Sequence, residues 1–162
     1  MKLVRACLFF PLLLGILVGI HLFINKTDYK RTCLKVGGET LEVMLAETPE
    51  ELEKGLSAVG SVEENEGMLF VFEKDTKPVF HLGRVRGAVS VAFINEKGKI
   101  LTIERMDPKQ RGRLYTAPDG THYALEVRSG WFEKNKVKRG SRVKGDRKIL
   151  KTGENCITEK TA

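Results

Sequence analysis

Hydrophobic and polar residues follow two different patterns along the chain. The first is an unbroken apolar run of 19 residues, Ala6–Ile24, which contains no Asp, Glu, Lys or Arg. After it, short apolar runs alternate with polar positions at a spacing of two, as at Leu41, Val43 and Leu45. Alternation with this period predicts β-strands, because successive side chains of a strand point to opposite faces of a sheet.

The alternating part predicts a series of short strands joined by tight turns. Gly37-Gly38 and the NEKGK segment at 95–99 supply turn residues between apolar runs. The segments predicted as strands are CLKV and ETLEVMLAE around the first turn, then EGMLFVF, PVFHL, AVSVAFI, ILTIERM, HYALEV, GSRVK and RKIL. The stretch 107–120 predicts a long polar loop, and SGWFEKN predicts a tight turn or one helical turn with Trp131 and Phe132 packed inward.

One helix is predicted between the second and third strands. Thr48 suits the N-cap, Pro49 suits the first helical position, and Glu50 and Glu51 suit the positive end of the helix dipole. Many short strands with a single helix indicate a closed or layered β architecture. We therefore predict a mainly β fold, a small antiparallel β barrel or sandwich with one short helix, preceded by an N-terminal transmembrane helix.

The apolar run is long enough to cross a membrane. A helix of this length, at about 1.5 Å per residue, spans a hydrocarbon core of about 30 Å. Lys2 and Arg5 precede it, as in the basic start of a secretory signal, but no A-x-A cleavage pattern follows it. We predict an uncleaved single-pass anchor, with a cleaved signal peptide as the alternative.

The run also sets the predicted domain organisation and location. We expect a membrane anchor or signal-like segment at 1–24, a linker at 25–32, a β-rich domain at 33–151 and a C-terminal tail at 152–162. The short basic N-terminus favours export of the domain, whereas the basic residues that follow the run favour a cytoplasmic domain. We predict that the domain lies on the extracytoplasmic side, in the cell envelope.

Charge is unevenly distributed along a chain with a net charge of +7. Seven glutamates fall between Glu47 and Glu66, and nine basic residues fall between Lys134 and Lys151. The basic stretch is either a solvated edge or a contact for anionic lipid head groups. The residues predicted to face lipid are Lys136, Lys138, Arg139, Arg142 and Lys144. We expect no nucleic-acid partner, because no aromatic residues are interleaved with these charges and no reader motif is present.

Two cysteines bracket the β-rich domain. Outside the cytoplasm Cys33 and Cys156 could form a disulfide that ties the two ends together. The alternative is two separate thiols.

Five motifs, in their order along the chain, carry a resemblance to a known family. They are TPEELEKGL, EGMLFVF, VAFINEKGKILTIERMDP, YALEV and GWFEKNKVKRGSRV. Together they resemble the bacterial and archaeal domain-of-unknown-function 192 family, over roughly Leu41 to Lys144. The resemblance implies a small mainly β fold, commonly placed behind a signal or anchor, and it implies no biochemical activity, since none is established for the family.

The polar positions depart from the pattern of that family. Members usually continue Gly-Leu with Met and, two residues later, Arg, whereas this chain has Ser57 and Val59 there. Members usually carry Met-x-Asn-Thr followed by Pro-Leu-Asp, whereas this chain has 82–85, Leu-Gly-Arg-Val, and 88–90, Ala-Val-Ser. The apolar scaffold therefore matches, while an arginine, an amide and a carboxylate are replaced by Val59, Arg84 and Ser90.

Catalytic and metal-binding motifs are scarce. No histidine has a second His, Cys or carboxylate at a metal-ligand spacing, and neither a G-x-S-x-G elbow nor a phosphate-binding loop is present. We therefore predict no catalytic residue, no metal and no cofactor. The candidate ligand-binding residues are Arg84 and Arg86, joined by His81 and Ser90, because two guanidiniums at a strand end can hold a carboxylate or phosphate. The alternative is a solvated turn.

The first functional hypothesis is a non-catalytic binding or accessory module for an anionic ligand or an envelope protein. A second hypothesis is an enzyme of unknown reaction that uses His81, Ser90 and Asp107. A third is a structural partner in a membrane complex, which would associate through the G-x-x-x-G pair Gly15 and Gly19.

Overall fold

The computed structural model describes residues 28–73 and 76–145 of the 162-residue chain. The elements are β1 (Arg31–Val36), β2 (Glu39–Ala46), α1 (Pro49–Lys54), a 3₁₀ turn (Gly55–Ala58), β3 (Glu66–Val71), β4 (Val79–His81), β5 (Val89–Asn95), β6 (Ile100–Met106), a second 3₁₀ turn (Pro108–Gln110), β7 (Leu114–Thr116), β8 (Thr121–Arg128), α2 (Trp131–Lys134) and β9 (Val143–Lys144). The predicted mainly β class is confirmed.

Seven of these strands form one sheet in the order β6-β5-β8-β3-β2-β1-β9, and β4 pairs with β7 in a second sheet. Neighbouring strands of the large sheet run antiparallel except β2 and β3, which run parallel. The exception arises because the connection that contains α1 carries the chain back to the starting end of β2, as a parallel pair requires.

The large sheet curls into a half-barrel. At one end its two edges meet, because Lys99 and Arg142 form a bridge between the segments that adjoin β6 and β9. There the Ile100 N–H donates to the Ser141 carbonyl at 2.9 Å, and the Val143 N–H donates to the Gly98 carbonyl at 2.8 Å. Closure of this kind removes exposed strand edges.

Hydrophobic residues fill both faces of the curled sheet. We call the side on which Trp131 and Phe132 of α2 pack the inner face; its core also contains Leu69, Leu125 and Ile94. The opposite side, the outer face, is covered by the first 3₁₀ turn, by the small β4–β7 sheet and by the loop after β4. Its core includes Leu56, Met68, Phe70, Phe80, Leu82, Val85, Val91, Phe93 and Tyr115.

Helix α1 begins as the sequence predicts. The Glu51 N–H donates to the Thr48 Oγ1 at 3.3 Å, and the Glu51 Oε2 accepts from the Thr48 N–H at 2.9 Å, which completes a capping box. Backbone N–H groups of Thr48 and Glu47 that bond to this carboxylate lower the pKa of Glu51. The helix therefore brings an ordered row of glutamates to the border of the outer face.

Two local features of the structure were not predicted, and one local prediction is confirmed. Strand β7 lies inside the stretch predicted as a polar loop. The apolar pattern did not indicate it, because only Tyr115 of its three residues is buried. Strand β4 leaves the main sheet and pairs with β7 instead. The segment after β8 forms one helical turn, α2, in which Trp131 and Phe132 are buried as predicted.

Several predictions concern residues outside the described ranges. These are the anchor at 1–24 with Gly15 and Gly19, residues 25–27 of the linker, Cys156, the strand RKIL and the tail at 152–162. Within 28–73 and 76–145, no helix combines the length and the hydrophobicity needed to cross a bilayer. The anchor and the domain limits therefore stay predictions.

Candidate functional site

Three arginines border one cleft at an end of the large sheet. We call this the arginine cleft; it has a volume of about 440 Å³ and is bordered by Arg86, Arg105 and Arg128, with Ser61 and Ser129 beside them. All three arginines are exposed. Guanidiniums that converge on one cleft supply several N–H donors for a carboxylate or phosphate.

Three separate elements bring these arginines together. Arg86 lies in the loop before β5. Arg105 is the second-last residue of β6, and Arg128 is the last residue of β8. The strand register places Ser90 opposite Arg105 and Val89 opposite Arg128. The cleft lies where β5 begins and its two neighbours end, so side chains from both faces of the sheet can border it.

Carboxylates do not neutralise the cleft in the described part of the chain. Glu63 is the only carboxylate among the residues that border it, and no ion pair joins a described carboxylate to Arg86, Arg105 or Arg128. Glu64 lies close to Arg128 but is ion-paired with Lys134. The hydrogen bond from Lys134, and to a lesser degree the charge of Arg128, lowers the pKa of Glu64.

The two arginines predicted as a pair have separate environments. Arg86 borders the cleft, and its N–H donates to the Gly60 carbonyl at 2.7 Å. Arg84 is exposed, does not border the arginine cleft, and donates its N–H to the Ser57 Oγ at 3.3 Å. Arg111 fixes the loop between them by donating to the carbonyls of Gly83 and Val85.

The other predicted site residues do not join Arg86. His81 is exposed and borders a second cavity, next to β4. Ser90 is 1% exposed within β5, and its hydroxyl has no hydrogen-bond partner among the described residues. Asp107 accepts the Lys109 N–H at 2.8 Å and thereby caps the second 3₁₀ turn. Of the trio His81, Ser90 and Asp107 in the enzyme hypothesis, only His81 borders the cavity next to β4, and none borders the arginine cleft.

The five basic residues predicted to face lipid are all exposed, in β9 and the segment before it. Arg142 donates to the Lys97 carbonyl at 3.3 Å and bridges to Lys99, so two exposed lysines of the β5–β6 turn adjoin them. We call Lys136, Lys138, Arg139, Arg142 and Lys144, with Lys97 and Lys99, the basic edge. It lies at the junction where the sheet closes.

Cysteine and metal chemistry can be placed only in part. Cys33 is buried on β1, whereas Cys156 lies outside the described residues. The proposed disulfide therefore stays a prediction.

Residues 28–73 and 76–145 contain no group of three or more His, Cys, Asp and Glu side chains arranged to hold a metal ion.

Sequence analysis identified one of the three cleft arginines. Arg105 and Arg128 sit at the ends of predicted strands, where a charged residue is ordinary, and nothing local shows that their strands flank β5. The signal that could have found them is their common position at strand ends, but it becomes useful only once the strand order is known.

The sequence of the chain matches one known protein family. The sequence profile of the domain-of-unknown-function 192 family, described as "Uncharacterized ACR", matches residues 32–145, well over half of the chain. The chain belongs to this family. The resemblance found in the five motifs is thereby confirmed. No match to a curated protein was found.

Two crystal structures share the fold of this domain-of-unknown-function 192 protein. One is a protein of Sinorhizobium meliloti 1021, described provisionally as a transcription regulator, with 24% identity, a TM-score of 0.67, and coverage of 74% of this chain and 96% of that one. The other is a protein of unknown function from Novosphingobium aromaticivorans DSM 12444, with 20% identity, a TM-score of 0.67, and coverage of 73% and 87%. At these identities the likeness establishes the fold alone.

The departures from the family pattern can now be placed. Ser57, Leu82, Gly83 and Val85 border the cavity next to β4, and Ser90 lies inside the sheet. A Cβ atom at Gly83 would meet the Ser57 Oγ, so a larger residue at this position would require the Ser57 hydroxyl to rotate away. The altered positions therefore border both spaces: 57, 82, 83 and 85 border the cavity next to β4, whereas Ala88 and Val89 border the arginine cleft.

Proposed function

We propose that this protein is a membrane-anchored, non-catalytic binding module that takes an anionic group of a ligand or protein partner in the arginine cleft. The observation that supports it is that Arg86, Arg105 and Arg128, from three separate elements, border one cleft. A carboxylate or phosphate accepts several charge-assisted hydrogen bonds in such a setting. The serines beside the arginines add neutral donors.

The charge balance of the cleft favours an anion over a structural role. Arginines that serve only the fold are usually paired with carboxylates, as Arg31 is with Glu42 at 2.8 Å and with Glu66 at 3.2 Å. The three cleft arginines carry no such pair among the described residues. A ligand anion would pair with these arginines in place of a carboxylate. Its binding would remove little water from the arginines, because the cleft is open to solvent.

The test uses pyrophosphate as the probe and the full-length chain in lipid nanodiscs. Arg86→Ala should weaken binding at least about tenfold, since a hydrogen bond between charged groups contributes about 1.5–3 kcal/mol. Arg84→Ala is the matched control: it removes the same charge two residues away, from a side chain that does not border the cleft. It should leave the affinity unchanged within about twofold.

Equal losses in the two variants would show that pyrophosphate responds to general positive charge, and would refute the cleft. Calorimetry gives the affinity, and the thermal midpoint of each variant verifies folding. Unchanged binding after Arg86→Ala combined with Arg128→Ala would also refute the proposal.

Anchoring and export form the second part of the proposal. They are supported by the length of the apolar run Ala6–Ile24 and by the basic residues before it. A topology reporter fused after Ala162 should be active only outside the cytoplasm. Activity of a reporter that works only in the cytoplasm, fused at the same position, would contradict export and show the opposite orientation.

A further inference from the structure

A second cavity, walled by aromatic rings, lies on the outer face. We call it the phenylalanine cavity; its volume is about 370 Å³, and Phe70, Phe72 and Phe80 border it. The Phe70 and Phe80 rings meet edge to face with centroids 5.0 Å apart, and the Phe72 and Phe80 rings do so at 6.1 Å. A cavity of this size with aromatic walls suits a small organic molecule.

One buried carboxyl group borders this cavity. Glu126 lies on β8, with Met68 of β3 and Val91 of β5 directly opposite it on the two sides. It is 5% exposed, and the structure gives it no hydrogen bond or ion pair with a described residue. Burial raises the pKa of Glu126 to about 8. Buried carboxyl groups are normally hydrogen-bonded or paired, so a single unpartnered one at a cavity wall indicates that a ligand supplies the partner.

The charges around the cavity indicate the sign of that ligand. Glu53 of α1 borders it, and Lys54, the one lysine that does so, is ion-paired with Glu50 at 2.6 Å. His81 also borders it but is exposed to solvent. The flanking helix is thus acidic, and the faces of phenylalanine rings attract cations as well.

We propose that the phenylalanine cavity binds a small organic ammonium compound, whose apolar body packs against Phe70, Phe72 and Phe80 while its N–H groups donate to the Glu126 carboxylate. This activity is separate from anion binding in the arginine cleft. An ammonium group stabilises the ionised carboxylate, and the aromatic walls exclude water from the pair. Neither contribution suffices alone: the attraction of a cation to an aromatic ring is weak, and an isolated buried carboxylate is costly to ionise.

The test compares phenethylamine, charged at neutral pH, with phenethyl alcohol, which has nearly the same shape without the charge. Both are titrated into the full-length chain in lipid nanodiscs, and binding is followed by NMR at residues bordering the cavity. Phenethylamine should bind saturably and at least about tenfold more tightly than the alcohol. Equal affinity for the two probes, or no saturable shift with phenethylamine, would overturn the proposal.

Two variants separate the carboxylate from general charge. Glu126→Gln keeps the size of the side chain and should remove the preference for the amine. Glu104→Gln is the matched control, because Glu104 lies on the same sheet face, one strand beyond Val91, and does not border the cavity. An equal loss in both variants would refute the role of Glu126.

A measurement on the unmodified protein does not depend on the folding of a variant. The chemical shift of the Glu126 carboxyl carbon should change from the protonated to the ionised value as phenethylamine saturates the cavity at about pH 6. Glu53, Lys54 and His81 also border the cavity, so the Glu126 resonance itself must be observed. A carboxyl group that stays protonated at saturation would overturn the proposal.

Discussion

The arginine cleft and the phenylalanine cavity draw opposite charges from the same strand. Glu126 and Arg128 are two residues apart on β8 and therefore point to the same face of the sheet. Glu126 faces its neighbours in the middle of the sheet and is almost fully buried, whereas Arg128 lies at the strand end and is exposed. The comparison shows that a charged residue in the middle of β8 is buried, whereas one at the end of the same strand is exposed.

The two environments also give the two charges different chemistry. An exposed guanidinium keeps its hydration until a ligand arrives, so anion binding at the arginine cleft exchanges water contacts for ligand contacts. A buried carboxyl group has already lost its water, which favours its protonated form. We therefore expect the cleft to respond mainly to salt, and the phenylalanine cavity mainly to pH and packing.

The largest expected effect comes from the aromatic wall. Phe80→Ala removes a ring that contacts Phe70, Phe72 and Phe93, the last at a centroid distance of 5.5 Å. The free energy of unfolding should fall by about 4 kcal/mol, as is typical when a buried phenylalanine becomes alanine. Urea denaturation measures it. Val79→Ala is the control on the same strand, since Val79 is 51% exposed, and an equal effect of both changes would contradict a packed wall.

The second effect is a pH dependence of stability that originates at Glu126. Its pKa is about 8 in the folded protein, against a reference of 4.5, because burial disfavours the charged form. Between these values the folded state binds more protons than the unfolded state, so stability falls as pH rises from about 4.5 to about 8.

The decrease should amount to a few kcal/mol, since each pH unit between the two pKa values contributes at most about 1.4 kcal/mol. Urea denaturation across this pH range measures it, and the same series on Glu126→Gln isolates it, because the amide does not titrate. The difference in unfolding free energy between the two proteins should change across the range. A constant difference would show that Glu126 is not desolvated, and would remove the contrast with Arg128.

The smallest effect is the salt dependence of the two probes. Pyrophosphate binding in the exposed arginine cleft should weaken by about tenfold between ~0.05 M and ~0.5 M sodium chloride, because salt screens exposed charges. Phenethylamine binding at buried Glu126 should weaken less than about twofold over the same range. Calorimetry at both salt concentrations measures the two affinities. Similar salt dependence of both probes would place the two charges in equivalent surroundings.

Much of the fold could be predicted from local patterns. Alternation identified the central strands, and Thr48, Pro49 and Glu51 marked the start of α1, since capping depends on neighbouring residues. Strand β7 was missed because it contains a single buried residue, Tyr115. The parallel pairing of β2 with β3 was missed because alternation reveals the faces of a strand but not its partners.

The candidate sites were less predictable, because they depend on long-range pairing. Arg86 was identified from its place at a strand end, but Arg105 and Arg128 join it only through the order of the strands. Glu126 was overlooked within the motif YALEV, where a glutamate in a strand normally faces solvent. It is buried because β8 lies between β3 and β5 and because loops cover the outer face.

The central place of β8 has a consequence for biosynthesis. A chain that has emerged only as far as residue 120 contains β3 and β5 but not the strand that joins them, so the strands of the large sheet belong to two disconnected groups. Arrival of β8 unites the groups and, in the same step, delivers Glu126 and Arg128. Both cavities are thus created together and late, and a nascent or prematurely terminated chain that lacks β8 has neither.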